Sequence, residues 1–201
     1  MNDKVSSIFH HEAEAINSIP VNQDFEGVIK LLFEQVHKKG GKIIASGMGK
    51  AGQVANNLAT TFSSTGSPAI FLHPSEAQHG DLGVIRENDV LVVLSNSGKT
   101  REILELVYLS HQLYAGLPVV LITGNLNGEL VMKAKHTLFT GKPKEVCPLG
   151  LTPTTSTTVM TVIADALTVL LMQKINFTAE DYAKRHHGGY LGEISRKSRT
   201  T

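Results

Sequence analysis

Short apolar runs alternate with stretches of helical period along most of the chain. Runs at 42–45, 69–72, 89–94, 118–122 and 136–139 have strand length and are bounded by Gly, Pro, Asn or Asp. Segments at 51–62, 101–114 and 127–132 carry helical periodicity and separate most of these runs. Alternation of this kind predicts right-handed crossovers and a parallel sheet covered on both faces, an α/β fold. Ahead of the first strand, residues 3–19 read as a helix stopped at Pro20. Asp24 then caps a second helix with Phe25, Val28, Ile29, Leu32 and Val36 on one face, ended by Gly40-Gly41. These first 40 residues are expected to pack on the sheet or on a partner subunit. After Phe139 a loop rich in Pro, Gly and Thr leads to an apolar helix over 159–172, then a short helix near 179–185. The apolar helix reads as buried, being too short for a membrane span and carrying Asp165.

Composition narrows the class. The 201 residues, 41% hydrophobic and 18% charged, fit a single domain over 1–201 with a substantial core. A formal net charge of +1 demands neither nucleic acid nor an anionic membrane. The one cysteine, Cys147, rules out an intrachain disulfide and suits a reducing cytoplasm. The N-terminus has no long apolar stretch, so no signal peptide is expected. The basic end reads as a solvated tail over 196–201.

The chemistry starts at Ser95-Asn96-Ser97-Gly98-Lys99-Thr100, where a strand gives way to a helix. Unpaired first-turn amides and the positive end of the helix dipole favour an anion there. Ser95, Ser97 and Thr100 are therefore candidates to hold a phosphate, three hydroxyls where capping needs one. The first strand runs into Ser46-Gly47-Met48-Gly49-Lys50-Ala51-Gly52, which satisfies G-x-G-x-x-G. A dinucleotide site also wants an acid at the end of the second strand, and that strand ends Phe71-Leu72-His73-Pro74. A P-loop fails too, with Ile44 and Ala51 where glycine and a hydroxyl belong. Lys50 is more telling: an ammonium beside a phosphate turn can neutralise charge developing on a substrate oxygen.

Three further clusters stand out. His73, Glu76, His79 and Asp81 follow the second strand at no familiar zinc spacing, so no metal is expected and His79 is expected to face the pocket. Glu145 precedes a hydroxyl run, Thr152 to Thr157, that opens the long helix, and that helix N-terminus is a second candidate oxygen site. His186-His187-Gly188-Gly189 follows the last helix, where a loop histidine can shuttle protons.

Taken together, Gly47-Met-Gly49-Lys50, Ser64-Thr-Gly66-Ser-Pro68, His73-Pro74, His79-Gly-Asp-Leu-Gly83, Ser95-Asn-Ser-Gly98, Glu145-Val-Cys-Pro-Leu-Gly-Leu-Thr-Pro-Thr154 and His186-x-Gly-Gly189 resemble the D-arabinose 5-phosphate isomerase family of sugar isomerase (SIS) domain enzymes. The resemblance covers nearly the whole chain, and the block around Glu145 is its most specific part. It implies a three-layer sandwich with a five-stranded parallel sheet and a homotetramer. The activity it implies is interconversion of D-arabinose 5-phosphate and D-ribulose 5-phosphate, without a cofactor, in Kdo and lipopolysaccharide synthesis. Many relatives continue into paired CBS domains, so the chain resembles a short form. By position, Lys50, Glu102, Glu145 and His186 match the family's catalytic residues. Lys99 departs from a usual glutamate, and His187 from a usual proline, which removes one fixed backbone angle.

An aldose–ketose isomerisation needs a phosphate grip, a base for the carbon proton and donors for the enediolate oxygen. The grip falls to Ser95, Ser97 and Thr100, with backbone amides near Gly49 and Gly98. Glu145 is the preferred base and Glu102 the alternative. His186, with His79 nearby, would move protons on the sugar oxygens, and His186 would reach a neighbour's pocket in a tetramer. A non-catalytic sugar-phosphate regulator and an isomerase of another phosphosugar are the competing readings.

Overall fold

A computed structural model of the chain describes residues 1–188. The expected tail at 196–201, and Gly189, lie outside the described residues.

Five strands form one parallel sheet: β1 (Ile43–Gly47), β2 (Ala69–Phe71), β3 (Val90–Leu94), β4 (Val119–Thr123) and β5 (His136–Phe139), in spatial order β2-β1-β3-β4-β5. Alternate side chains leave each strand on opposite faces. Ile43, Ala45, Val90, Val92, Leu94, Val120 and Ile122 enter one core, against α2 (Phe25–Leu32), α3 (Gly49–Ser64) and α6 (Thr155–Lys174). Ile44, Leu91, Val93, Val119 and Leu121 enter the other, against α4 (Pro74–Ala77) and α5 (Arg101–Leu113). The expected three-layer arrangement is thus observed, and its continuous apolar runs reflect burial on both faces.

The order of strands reverses between β1 and β3, whose carboxyl ends lie side by side at Gly47 and Leu94. At the opposite end of the sheet, Asp89 is fully buried and accepts bonds from the Lys42 amide, the Arg86 amide and Lys42 Nζ, the last at 2.7 Å. That ion pair fixes the entry to β1 and β3.

Of the two roles expected of the N-terminal helices, packing on the core is observed for α2. The α2 helix is capped by Asp24 and buries Val28, Ile29, Leu31 and Leu32 in the core. It continues as a π-helical segment, Phe33–Lys38, from which His37 meets Ser67 Oγ at 2.9 Å. By contrast, α1 (Asn2–Asn17) packs along α6 and leaves Val5, Ile8 and Phe9 exposed.

Two expectations are corrected. The helix expected at 127–132 is a short 3₁₀ turn, Glu129–Lys133. Thr123 Oγ1 and Asn125 Oδ1 take the amides of Asn125 and Asn127, and such local bonds compete with a helical start. The apolar helix is also longer than expected. At 20 residues and a mean hydropathy of 1.6 over its best window, α6 is long enough to cross a bilayer. It is nevertheless a core helix, with Val159, Met160, Ile163, Ala164, Leu167 and Leu171 buried.

Candidate active site

A cavity of about 290 Å³ lies at the carboxyl ends of β1 and β3. This is where a doubly wound sheet places its ligands, at the reversal of strand order. Three structural pieces build it.

The first is the β1–α3 turn. Gly47 and Gly52 are buried, and a Cβ on Gly52 would lie 2.5 Å from the Gly47 carbonyl oxygen. The spacing that resembles a dinucleotide fingerprint therefore serves to bring α3 close onto β1. Gly49 opens α3 with φ +57°, a left-handed value that favours glycine. No side chain caps this helix, so its first amides stay available beside Met48, Lys50 and Ala51, which line the cavity.

The second piece is the turn after β3. Ser95 Oγ and Thr100 Oγ1 meet at 2.8 Å, and the Ser97 hydroxyl accepts from the Lys99 amide at 3.2 Å. Asn125 Nδ2 holds the Ser97 carbonyl, and the Leu130 amide holds that of Gly98. Gly98 has φ +63° and would set a Cβ 3.1 Å from the Cα of Gly128, so turn and packing both demand glycine. Thr100 is the N-cap of α5 without a side-chain capping bond, leaving a second set of helix amides exposed. Ser95, Asn96, Ser97 and Thr100 all line the cavity.

The third piece is the start of α6. Pro153, Ser156, Thr157 and Met160 close the far wall. The amides expected here to receive a ligand oxygen are already taken. Glu145 Oε2 accepts from the Thr154 amide at 2.8 Å, the Thr154 hydroxyl at 3.0 Å and the Ser156 amide at 3.2 Å. Glu145 thus caps α6. Burial pushes its pKa up, but the hydrogen bonds from Ser156 and Thr154 outweigh that and hold it below the usual carboxylate value. In the same loop Cys147 Sγ accepts from the Thr152 amide, and hydrogen bonds from the Thr152 side chain and from the Thr152, Leu151 and Leu149 amides lower the thiol pKa to about 7.

Of the residues singled out in the sequence, Lys50, Ser95, Ser97 and Thr100 share this cavity, with Gly49 and Gly98 in its turns. Glu145 stands one hydrogen bond behind Ser156. Glu102, in the first turn of α5, is half-buried and does not line the cavity. His79 is exposed beyond α4 and does not line it either. His186 follows α7 (Ala179–Ala183), where its ring stacks on Tyr182 at 3.7 Å and its Nδ1 meets the Tyr182 carbonyl at 3.0 Å. Within one chain these last three do not join the group around Lys50. Met48, the N-cap of α3, and Met160, in the second turn of α6, went unrecognised in the sequence, because an apolar residue near a helix start carries no site signal of its own.

The electrostatic character is simple. Among the described residues, Lys50 is the one charged side chain lining the cavity, and it makes no ion pair. One free ammonium, five hydroxyl side chains and two uncapped helix starts suit an anion. Among the described residues no three His, Cys, Asp or Glu side chains gather as a metal site requires.

Comparison with known proteins gives the same direction. The SIS domain model matches residues 35–170. The arabinose 5-phosphate isomerase KdsD of Shigella flexneri is 44% identical over 172 residues, covering 86% of this chain and 51% of that protein. The chain therefore spans about half the length of the curated relatives it matches. A Bacteroides fragilis structure, assigned as a phosphosugar isomerase involved in capsule formation, is 56% identical with a TM-score of 0.93. That match covers 94% of this chain and 99% of the other. An Escherichia coli CFT073 protein in complex with arabinose 5-phosphate is 33% identical with a TM-score of 0.82, covering 89% of this chain and 93% of that one.

Proposed function

The chain belongs to the SIS domain family, and from that premise we propose that it is an aldose–ketose isomerase of phosphosugars. The proposed substrate pair is D-arabinose 5-phosphate and D-ribulose 5-phosphate, in Kdo and lipopolysaccharide synthesis in the cytoplasm. The carrying observation is Lys50, an unpaired cation facing three hydroxyls of one βα turn across a cavity without a lining carboxylate. The names of the curated relatives and the sugar phosphate bound to the Escherichia coli protein support the choice of substrate.

In this reading Ser95, Ser97 and Thr100 hold the phosphate with the amides after Gly49 and Gly98. The sugar then lies toward Lys50 and the start of α6. A base removes the proton from C2 of the aldose, an enediol forms, and the proton returns to C1. Lys50 stabilises the oxyanion of that intermediate. Glu145 is the preferred base: its Oε2 is held by α6, and its depressed pKa keeps it ionised at neutral pH. Glu102 remains the alternative. His186 and His79 would act from a neighbouring subunit of a homotetramer. The exposed apolar stripe Val5, Ile8 and Phe9 on α1 supports association of this kind.

The test is incubation with a panel of aldose 5- and 6-phosphates, without added cofactor, while ketose formation is followed. Turnover of arabinose 5-phosphate is expected. Binding without turnover of any of them would favour a regulator and overturn the enzymatic reading.

A further inference from the structure

Glu12 is half-buried on α1, one turn before the half-buried Ile16, where α1 packs along α6. Its Oε1 accepts from the Thr155 hydroxyl at 2.9 Å, while Oε2 is buried with no partner among the described residues. A shielded carboxylate oxygen with no donor is costly, and calls for a reason.

The reason lies in what Thr155 does next. Its proton points to Glu12, which leaves its oxygen to accept the Val146 amide at 3.1 Å. One residue earlier on α1, His11 Nε2 donates to the Lys144 carbonyl at 2.8 Å. Glu145 sits between these two anchored residues. The same turn of α6 that supplies Thr155 supplies the Thr154 and Ser156 donors of its carboxylate.

We infer that Glu12 is a positioning residue for Glu145. It orients the Thr155 hydroxyl and, with His11, pins the 144–146 segment to α1. The carboxylate is then held from both sides: its side chain by α6, its backbone by α1. Glu12 does not line the cavity, so it acts through the loop and not on the substrate. The catalytic part of this inference rests on the isomerase reading above; the clamp does not.

The experiment pairs amide hydrogen exchange over 144–156 with steady-state kinetics on arabinose 5-phosphate, for wild type, Glu12→Ala, Glu12→Gln and Thr155→Val. Glu12→Ala is expected to speed exchange in this segment. It should lower kcat by about 10- to 100-fold with KM within about threefold, because misplaced groups cost rate more than binding. Glu12→Gln keeps an acceptor for Thr155 and should restore both readings. Thr155→Val, which keeps the shape and removes the hydroxyl, should reproduce the Glu12→Ala effects, and the two changes combined should not add. Exchange unchanged in Glu12→Ala or Thr155→Val, a Glu12→Gln variant as slow as Glu12→Ala, or additive effects would each overturn the inference. A wild type that binds the sugar phosphate without turning it over would refute the isomerase, while the exchange data still decide the clamp.

Discussion

Gly52→Ala tests why the glycine loop exists. A Cβ there would sit 2.5 Å from the Gly47 oxygen and 3.0 Å from the Gly47 carbonyl carbon. Ordinary contact lies near ~3.5 Å, so about 1 Å of separation has to be recovered. Gly47 cannot supply it cheaply, because it ends β1 in register with Leu94 of β3, in the middle of the sheet. The start of α3 must retreat instead, and Lys50 retreats with it. Overpacking of this size costs about 1–3 kcal/mol, which in a chain of this length lowers Tm by about 3–10 °C. Activity should fall further than stability requires, by about 10- to 100-fold at a temperature where the variant is folded. The assay is a urea or thermal unfolding curve beside the isomerase rate. Gly83→Ala is the control, since a Cβ there meets nothing within 4 Å. A Gly52→Ala protein with wild-type Tm would refute the packing argument and reopen a ligand-contact role for this glycine.

Three other outcomes are expected. Lys50→Met should lower kcat about 100-fold with little change in KM, the size of losing one oxyanion donor; a kcat within twofold of wild type would remove Lys50 from the chemistry. Asp89→Ala strands the Lys42 ammonium and two amides at the far end of the sheet, so urea denaturation should show a loss of about 3–5 kcal/mol, with the rate per folded molecule unchanged. The pKa of Glu145 is lowered in the folded state, so its capping contribution is complete above the ordinary carboxylate range near ~4.3 and is lost as pH falls through the depressed value. Thermal unfolding followed from pH 7 downward should accordingly show a shallower acid limb in Glu145→Gln, and parallel limbs would contradict the assignment.

The strands were legible because a parallel sheet is covered on both faces, so its strands read as short continuous apolar runs such as Val90 to Leu94, bounded here by Asp89 and Ser95. The Asp24 cap, the Ser95–Thr100 turn and the start of the glycine loop were legible for a related reason. Their backbone geometry needs particular side chains, or none, at fixed local spacing. By itself, then, the sequence determined the layers, the order of elements and the hydroxyl turn that lines the cavity.

The tertiary structure decided which of those local features share a place. The hydroxyls after β3 and the lysine after β1 meet because the strand order reverses between them, a pairing that local spacing does not encode. It also decided between two uses of one helix start: the amides of α6 go to Glu145 rather than to a ligand. Glu12 was invisible for the same reason, since its partner is 143 residues away. Helical and strand periods report contacts within a few residues along the chain. A long-range hydrogen bond leaves no such period, and becomes readable only when folding brings its two ends together.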